Sequence, residues 1–182
     1  EIKQVVTVSQ DGTIPYVTFT AEAEQTLRMS KAVETLEYSV NGSEWESLGT
    51  ATITFGGSKG FLRLRGKNIR GTAYEYYDCS QISFVNDIPV ACRGDIRTLV
   101  DYDNYENVDT SNAKFCNLFS NCRNLTSAPK LPAITLTEFC YYNMFSGCTS
   151  LTAAPELPAT TLATDCYNGM FSRCTSLTTA PE

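Results

Sequence analysis

Histidine is absent from all 182 residues. Its absence excludes Ser-His-Asp and Cys-His catalysis, histidine metal ligands and histidine pH switches together. Charged residues are sparse, at 19%, and the net charge is −6. A nucleic-acid backbone would repel this balance, so we expect no nucleic acid among the partners. No apolar run reaches the roughly 18 residues that a membrane helix needs, so we expect no membrane span.

The sequence contains eight cysteines but no CxxC pair. Because histidine is also missing, the usual mixed zinc sites fail, and we predict no metal and no cofactor. Cys79 and Cys92 bracket a predicted hairpin, and their spacing fits either a disulfide or two free thiols. The other six follow the repeat described below and predict a buried column of thiols: Cys116, Cys122, Cys140, Cys148, Cys166 and Cys174.

Both ends of the sequence lack a boundary signal. The first ten residues, EIKQVVTVSQ, contain no basic region followed by an apolar one, so we expect no signal peptide in them. The last residues, SLTTAPE, stop in the middle of a repeat. We therefore expect the sequence to be a piece of a longer protein.

A repeat of 26 residues fills the second half. It is carried by equally spaced positions: Phe119, Phe145 and Phe171; Cys122, Cys148 and Cys174; Leu125, Leu151 and Leu177; Pro129, Pro155 and Pro181. Within one copy Cys140 and Met144 are four residues apart, as are Tyr141 and Phe145, which predicts a short helical turn with one apolar face. A strand over residues 150–154 is predicted to follow it, kept short by the neighbouring prolines. Stacked copies would bury the apolar faces, with residues 96–113 as a degenerate capping repeat.

The segment MFSGCTSLTAAPELPATTL, residues 144–162, has partial copies at 118–136 and 170–182. These segments resemble the BspA-type leucine-rich repeats of bacterial cell-surface proteins. For residues 96–182 the resemblance implies an α/β leucine-rich-repeat solenoid that is secreted and lies outside the cell or on its surface. It implies adhesion to protein or glycan ligands on host or bacterial surfaces. Because a C-terminal cap is missing from the sequence, the open end of the solenoid is expected to permit self-association.

Residues 1–95 predict an all-β antiparallel sandwich, which makes the fold class multidomain. YVTFTAEAE alternates apolar and polar residues, as a half-buried strand does. Short strands and turn signals recur at regular spacing. Three hairpins are predicted: around Asn41-Gly42, around GGSKG with Ile53 and Phe55 opposite Leu62 and Leu64, and around Asn86-Asp87.

Candidate binding residues fall into three groups. Two rows are expected on the exposed strand face of the repeats, either as a ligand surface or as a solvated face: Thr126, Thr152 and Thr178, and Lys130, Glu156 and Glu182. The third group predicts either a sugar-stacking platform or core aromatics: Trp45, Tyr74, Tyr76 and Tyr77. The acidic run DYDNYENVD fails the calcium-loop pattern and is expected to be solvated.

No motif places a pair of catalytic carboxylates or a nucleophile with its base, so we do not expect an enzyme. The function that we predict is a non-catalytic binding or adhesion module of a bacterial surface protein. A phage- or pilus-type attachment protein is the alternative, and a carbohydrate-binding module on the sandwich is the second alternative. The choice between them rests on family resemblance.

Overall fold

The computed structural model describes residues 14–181. Its strands are β1 (Val17–Thr20), β2 (Gln25–Met29), β3 (Glu37–Val40), β4 (Glu46–Ser47), β5 (Thr52–Phe55), β6 (Leu62–Arg65), β7 (Ala73–Glu75), β8 (Asp78–Cys79), β9 (Ile82–Phe84) and β10 (Ala91–Arg93). Three short 3₁₀ helices span Gly57–Lys59, Ile96–Leu99 and Tyr105–Asn107. Within the described range there is no α-helix.

Two antiparallel sheets, besides the two-stranded sheet of β7 and β8, form the N-terminal half, which confirms the predicted β structure there. One has the order β10-β1-β6-β3-β4 and the other the order β5-β2-β9. Phe19 of β1 is fully buried, and its ring lies 6.4 Å from that of Phe55 on β5 and 5.6 Å from that of Phe84 on β9. The core of this half therefore lies between the two sheets.

The hairpin predicted at Asn41-Gly42 is confirmed. β3 and β4 pair antiparallel, with Tyr38 opposite Glu46. Asn41 and Gly42 have φ values of 51° and 79°, as a type I′ turn requires of both central residues.

The other two predicted hairpins are wrong, because each loop carries the chain from one sheet to the other. β5 pairs with β2, whereas β6 pairs with β1 and β3. Likewise β9 pairs with β2 and β10 with β1. Ile53 and Leu62 are both buried, but they belong to different sheets. An alternating apolar pattern fits a hairpin and a sheet-to-sheet crossing equally well, so the pattern does not distinguish them.

The prediction of an α/β leucine-rich-repeat solenoid is wrong. Residues 113–181 form neither an α-helix nor a ladder strand, and the strand predicted at 150–154 is not formed. Every fourth residue of each turn-rich segment has a positive φ: Asn117, Asn121, Phe139, Asn143, Gly147, Asp165, Gly169 and Arg173. A left-handed residue interrupts the i to i−4 hydrogen bonds of an α-helix. The spacing of four therefore reflects successive turns.

The repeat stacks as layers of turns: a first layer (113–138), a second layer (139–164) and a third layer (165–181). Alternate backbone N–H groups donate to the next layer, as Phe119 does to Met144 at 2.9 Å and Phe145 to Met170 at 3.0 Å. The N–H groups between them close turns within their own layer, as Met144 does onto Tyr141 at 3.1 Å. The buried backbone is thus paired without helix or sheet.

Side chains at equivalent positions stack in columns through the layers. The rings of Phe119, Phe145 and Phe171 follow one another at centroid distances of 5.4 and 5.8 Å, with planes 1° and 2° apart. A second column runs through Phe115, Tyr141 and Tyr167 at 6.1 and 5.8 Å. These columns are the interior of the stack, since Phe119 and Phe145 are fully buried.

The N-terminal half covers the first layer. Isolated parallel bridges join Gly71 to Lys114, Val90 to Leu125 and Asp95 to Lys130. One apolar core runs from the sheets into the stack, with Phe19 packed 6.2 Å from Phe119. Residues 96–113, which were predicted as a capping repeat, contain two of the 3₁₀ helices. The bridges to the first layer are made by Gly71, Val90 and Asp95, which lie before this segment. The domain boundary at residue 95 stays a prediction.

The third layer has no layer beyond it within residues 14–181. The backbone N–H groups of Tyr167, Gly169 and Phe171 stand where earlier layers donate onward, and they find no backbone acceptor in the described chain. The rings of Tyr167 and Phe171 are half-buried. A second copy of the protein would present the same N–H donors at this end, so the two ends could not pair through these groups. Self-association through this end stays a prediction, and it would depend on contacts between apolar side chains.

Candidate functional site

The hairpin of β7 and β8 lies where the sheets meet the stack. Glu75 is opposite Asp78, so Tyr76 and Tyr77 form its tip. The hairpin is a separate two-stranded sheet. A two-stranded hairpin is marginally stable alone, so its position depends on what it packs against.

Ion pairs fix the hairpin on two sides. Asp78 binds Lys31 at 2.6 Å, and Glu75 binds Lys114 of the first layer at 3.3 Å. The hydrogen bond from Lys31 to Asp78 raises the pKa of that lysine. Exposed pairs contribute little to stability, so their main effect is on orientation.

Four aromatic rings meet at the hairpin tip and form what we call the aromatic patch: Tyr76, Tyr77, Phe139 and Tyr142. Tyr76 stacks on Phe139 at 4.6 Å and meets the edges of Tyr142 at 6.2 Å and Tyr77 at 5.1 Å. Tyr76 remains 44% exposed and Tyr77 73% exposed. The aromatic patch is therefore an ordered apolar surface open to solvent.

Neither Phe139 nor Tyr142 is among the site residues that the sequence predicted. In the third layer their equivalents are Asp165 and Asn168, which are exposed polar residues. The stack therefore forms without aromatic rings at these positions. A departure from the repeat towards aromatic residues was the signal that would have identified them.

Tyr74 lies on the same hairpin but outside the aromatic patch. Its ring is 44% exposed and lies beneath the guanidinium of Arg70, at 5.4 Å from the centroid. The register of the hairpin shifts between Ala73 and Glu75, on either side of Tyr74. The Tyr74 ring contacts Arg70 rather than the rings of the aromatic patch.

Trp45 belongs to a different cluster, on the five-stranded sheet. The guanidinium of Arg65 lies 4.2 Å from the ring centroids of both Trp45 and Tyr102. Glu37 accepts a hydrogen bond from Arg65 at 2.6 Å, and the ring of Tyr16 meets Trp45 at 4.9 Å. Of the four predicted platform residues, the structure brings together only Tyr76 and Tyr77.

The predicted threonine row lies along the stack and takes part in its bonding. The Thr126 hydroxyl donates to the Val90 carbonyl at 3.1 Å, and the Thr152 hydroxyl donates to the Thr126 carbonyl at 3.3 Å. Thr178 and Glu156 are exposed, and Glu182 lies outside the described residues.

Lys130 lies at a cleft of about 630 Å³ between the five-stranded sheet and the first layer. Arg63 and Arg93 also line this cleft, and neither they nor Lys130 has a carboxylate partner among residues 14–181. Asp95 pairs with Arg97 at 2.7 Å. The cleft offers positive charge to an anionic group in a protein whose net charge is −6.

All eight cysteines are free, and those of the repeat are buried as predicted. The thiols of Cys148 and Cys174 donate to carbonyls of the preceding layer at 3.0 Å. Burial raises the pKa of the Cys122 and Cys140 thiols to about 12. Burial in apolar surroundings makes a thiol unreactive, so these side chains are packing residues.

The structure does not place Cys79 beside Cys92. Cys79 pairs with Ala73 in the hairpin, whereas Cys92 lies on β10 opposite Phe19. The disulfide that was one option for this pair is therefore not formed, because β10 joins a different sheet. Cys116 instead lies close to Cys79. The residue at the equivalent position of the second layer is Tyr142.

The acidic run lies beside the sheets, where Asp101 and Asp103 both contact Lys67, at 2.6 and 2.7 Å. Within residues 14–181 no three metal-ligating side chains converge. The same range holds no helix with the length and apolar character to cross a bilayer.

Comparison with known proteins gives no relative: no protein family, curated protein or solved structure matches this chain. The resemblance to BspA-type proteins stays a prediction.

Proposed function

We propose that this protein is a non-catalytic binding module that attaches to a protein ligand on a host or bacterial surface through the aromatic patch. The observation that carries the proposal is the exposure of Tyr76 and Tyr77 within a ring cluster fixed at its base by Phe139. Tyrosine is enriched among residues that dominate binding energy at protein interfaces.

The surroundings of the aromatic patch fit a protein interface. Charged pairs border it, Glu75 with Lys114 on one side and Asp78 with Lys31 on the other. An apolar centre with a polar rim is the usual anatomy of such an interface. The rings are already ordered against one another, so binding would cost little side-chain entropy.

The rings of the aromatic patch are not needed for the stack. The third layer replaces Phe139 and Tyr142 with polar residues and keeps the same backbone turns. The aromatic patch therefore exposes apolar rings that the stack does not require. Exposed apolar patches of this kind usually mark contact sites.

The proposed location is outside the cell or on its surface. The resemblance of residues 144–162 to repeats of bacterial surface proteins supports it. The surface ligand would then be a host matrix protein, an epithelial cell or another bacterium.

A glycan is the second candidate ligand, favoured by one observation. The ring of Tyr77 is 73% exposed, and its plane is nearly perpendicular to that of Tyr76, at 84°. An exposed ring of this kind offers a flat face on which a sugar can stack.

The test is binding of the intact chain to host matrix proteins, to epithelial cells and to a glycan array. Binding to matrix proteins, or to cells in a protease-sensitive manner, supports the protein ligand. Glycan-array binding, or cell binding lost after deglycosylation, supports the glycan. Binding no greater than that of the heat-denatured chain on all three surfaces would contradict the proposal.

A further inference from the structure

Two cysteines meet beneath the aromatic patch, one from the hairpin and one from the first layer. The Cys79 thiol donates to the Tyr76 carbonyl at 3.3 Å, and the Cys116 thiol donates to the adjacent Glu75 carbonyl at 3.6 Å. Asn117, next to Cys116 in the chain, donates to the Cys79 sulfur at 3.0 Å. The acceptors of the two thiols are adjacent carbonyls of the hairpin, which places the two side chains next to each other at its base.

One member of this pair, Cys79, differs from the other cysteines in access. Cys79 is the one cysteine that is only half-buried, and the other seven are buried. Burial first, and the neighbouring Cys79 second, raise the pKa of the Cys116 thiol to about 12. A reagent in solution therefore reaches Cys79 before Cys116.

We propose that Cys79 and Cys116 form an intramolecular disulfide when the protein meets a small-molecule disulfide such as oxidised glutathione. The Cys79 thiolate attacks one sulfur of the reagent and releases one glutathione thiolate, leaving a mixed disulfide on Cys79. The Cys116 thiolate then attacks the Cys79 sulfur and releases the second glutathione. Both protein thiols lose their protons, two electrons pass to the reagent, and two molecules of reduced glutathione result.

The bond would tie the hairpin to the stack at the base of the aromatic patch. At present that connection consists of ring contacts, the Glu75–Lys114 ion pair and single hydrogen bonds. A disulfide would also restrict the conformations of the unfolded chain. Oxidation would therefore raise the free energy of unfolding. An oxidising compartment outside the cell would favour this form.

The experiment uses the folded chain, incubated with oxidised glutathione, alkylated under denaturing conditions and digested with trypsin. Cleavage at Arg70, Arg93, Lys114 and Arg123 places Cys79 and Cys92 on one peptide and Cys116 and Cys122 on another. We expect a disulfide to link these two peptides. The mass of the linked product should be the sum of the two peptide masses less two hydrogen atoms. Fragmentation should show alkylated Cys92 and Cys122, and the midpoint of urea unfolding should rise on oxidation.

Two variants distinguish a bond between Cys79 and Cys116 from a bond between Cys92 and Cys122, the buried cysteines on the same two peptides. Cys79→Ser should abolish both the link and the rise in the urea midpoint, whereas Cys92→Ala should keep both. A link that persists in Cys79→Ser, a link between Cys79 and Cys92, or stable glutathionylation of Cys79 with Cys116 free would each overturn the proposal.

Discussion

Tyr76 and Phe139 lie face to face, with ring centroids 4.6 Å apart and planes 27° apart. Tyr76 is at the tip of a small hairpin, and Phe139 begins the second layer of the stack. The backbone N–H of Phe139 donates to the Thr164 carbonyl at 3.0 Å, so the second layer fixes where this ring stands. The binding surface that we propose is therefore positioned by the stack although its most exposed ring is not part of it.

Removal of a ring from the middle of a column tests the stack itself. Phe145 is fully buried between Phe119 and Phe171, so Phe145→Ala should lower the free energy of unfolding by about 3–5 kcal/mol. Phe171 has one ring neighbour and is half-buried, so Phe171→Ala should cost about 1–2 kcal/mol. Urea unfolding of both variants checks this order, and equal losses would contradict the stacked column.

A left-handed residue in the second layer gives a backbone test. Asn143 has a φ of 51°, a conformation that glycine and asparagine tolerate better than other residues. Asn143→Gly should therefore be close to neutral, whereas Asn143→Ala should cost about 1 kcal/mol more than the glycine variant. The comparison is made by urea unfolding. A more stable alanine variant would indicate a helical turn at this position, because alanine favours helix over glycine.

Amide hydrogen exchange tests the bonding between layers. The N–H groups of Tyr141 and Phe145 donate to the third layer at 2.9 and 3.0 Å and should be strongly protected. Tyr167 and Phe171 are their equivalents in the third layer, and their N–H groups should exchange much faster. Equal protection of the two sets, measured by NMR on the chain at low concentration, would contradict the layered arrangement.

The parts of the fold that were predictable from the sequence depend on a few specific residues and on the repeat period. Asn41-Gly42 specifies a turn in which both residues have positive φ, and that hairpin is present. The apolar alternation at Val17 and Phe19 predicted a strand correctly, but the strand ends at Thr20 and is buried on both faces, since Thr18 is buried as well. The 26-residue period correctly indicated structural repetition, which the equal spacing of the ring columns shows directly.

The errors have physical causes. The i, i+4 pairs of each copy fit a helix, but Asn or Gly occupies five of the eight positions with a positive φ in the stack. These residues favour a chain of turns, and backbone preference decided the outcome. The partner of a strand depends on the sheet to which the preceding loop leads. The alternation of apolar and polar residues around Ile53 or Leu62 does not indicate that sheet. The aromatic patch joins residues far apart in the sequence, so Phe139 and Tyr142 were missed.

The buried thiols predict a loss of stability in alkali. Burial raises the pKa of Cys122 and Cys140 from 9.0 to about 12, so these thiols ionise more readily in the unfolded chain than in the folded one. Their contribution to stability is complete below pH 9 and is lost as the pH rises from 9 towards 12. Each thiol removes up to about 1.4 kcal/mol per pH unit in that interval.

Urea unfolding at pH 7, 8, 9 and 10.5 measures this effect. The free energy of unfolding should be nearly constant between pH 7 and 8 and should fall above pH 9. Cys122→Ala is the control, and it should show a shallower fall. An unchanged fall in this variant would assign the alkaline loss to other groups.

Comparison of two tyrosines on one hairpin tests the central claim most directly. The fluorescently labelled chain is titrated onto epithelial cells, with Tyr77→Ala as the patch variant and Tyr74→Ala as the matched control. Tyr77 is in the aromatic patch, whereas Tyr74 is exposed on the same hairpin but outside it. We predict that Tyr77→Ala weakens binding by about tenfold or more, and that Tyr74→Ala binds like the unsubstituted chain. Unchanged binding by Tyr77→Ala, or an equal loss in both variants, would contradict the aromatic patch as the contact surface.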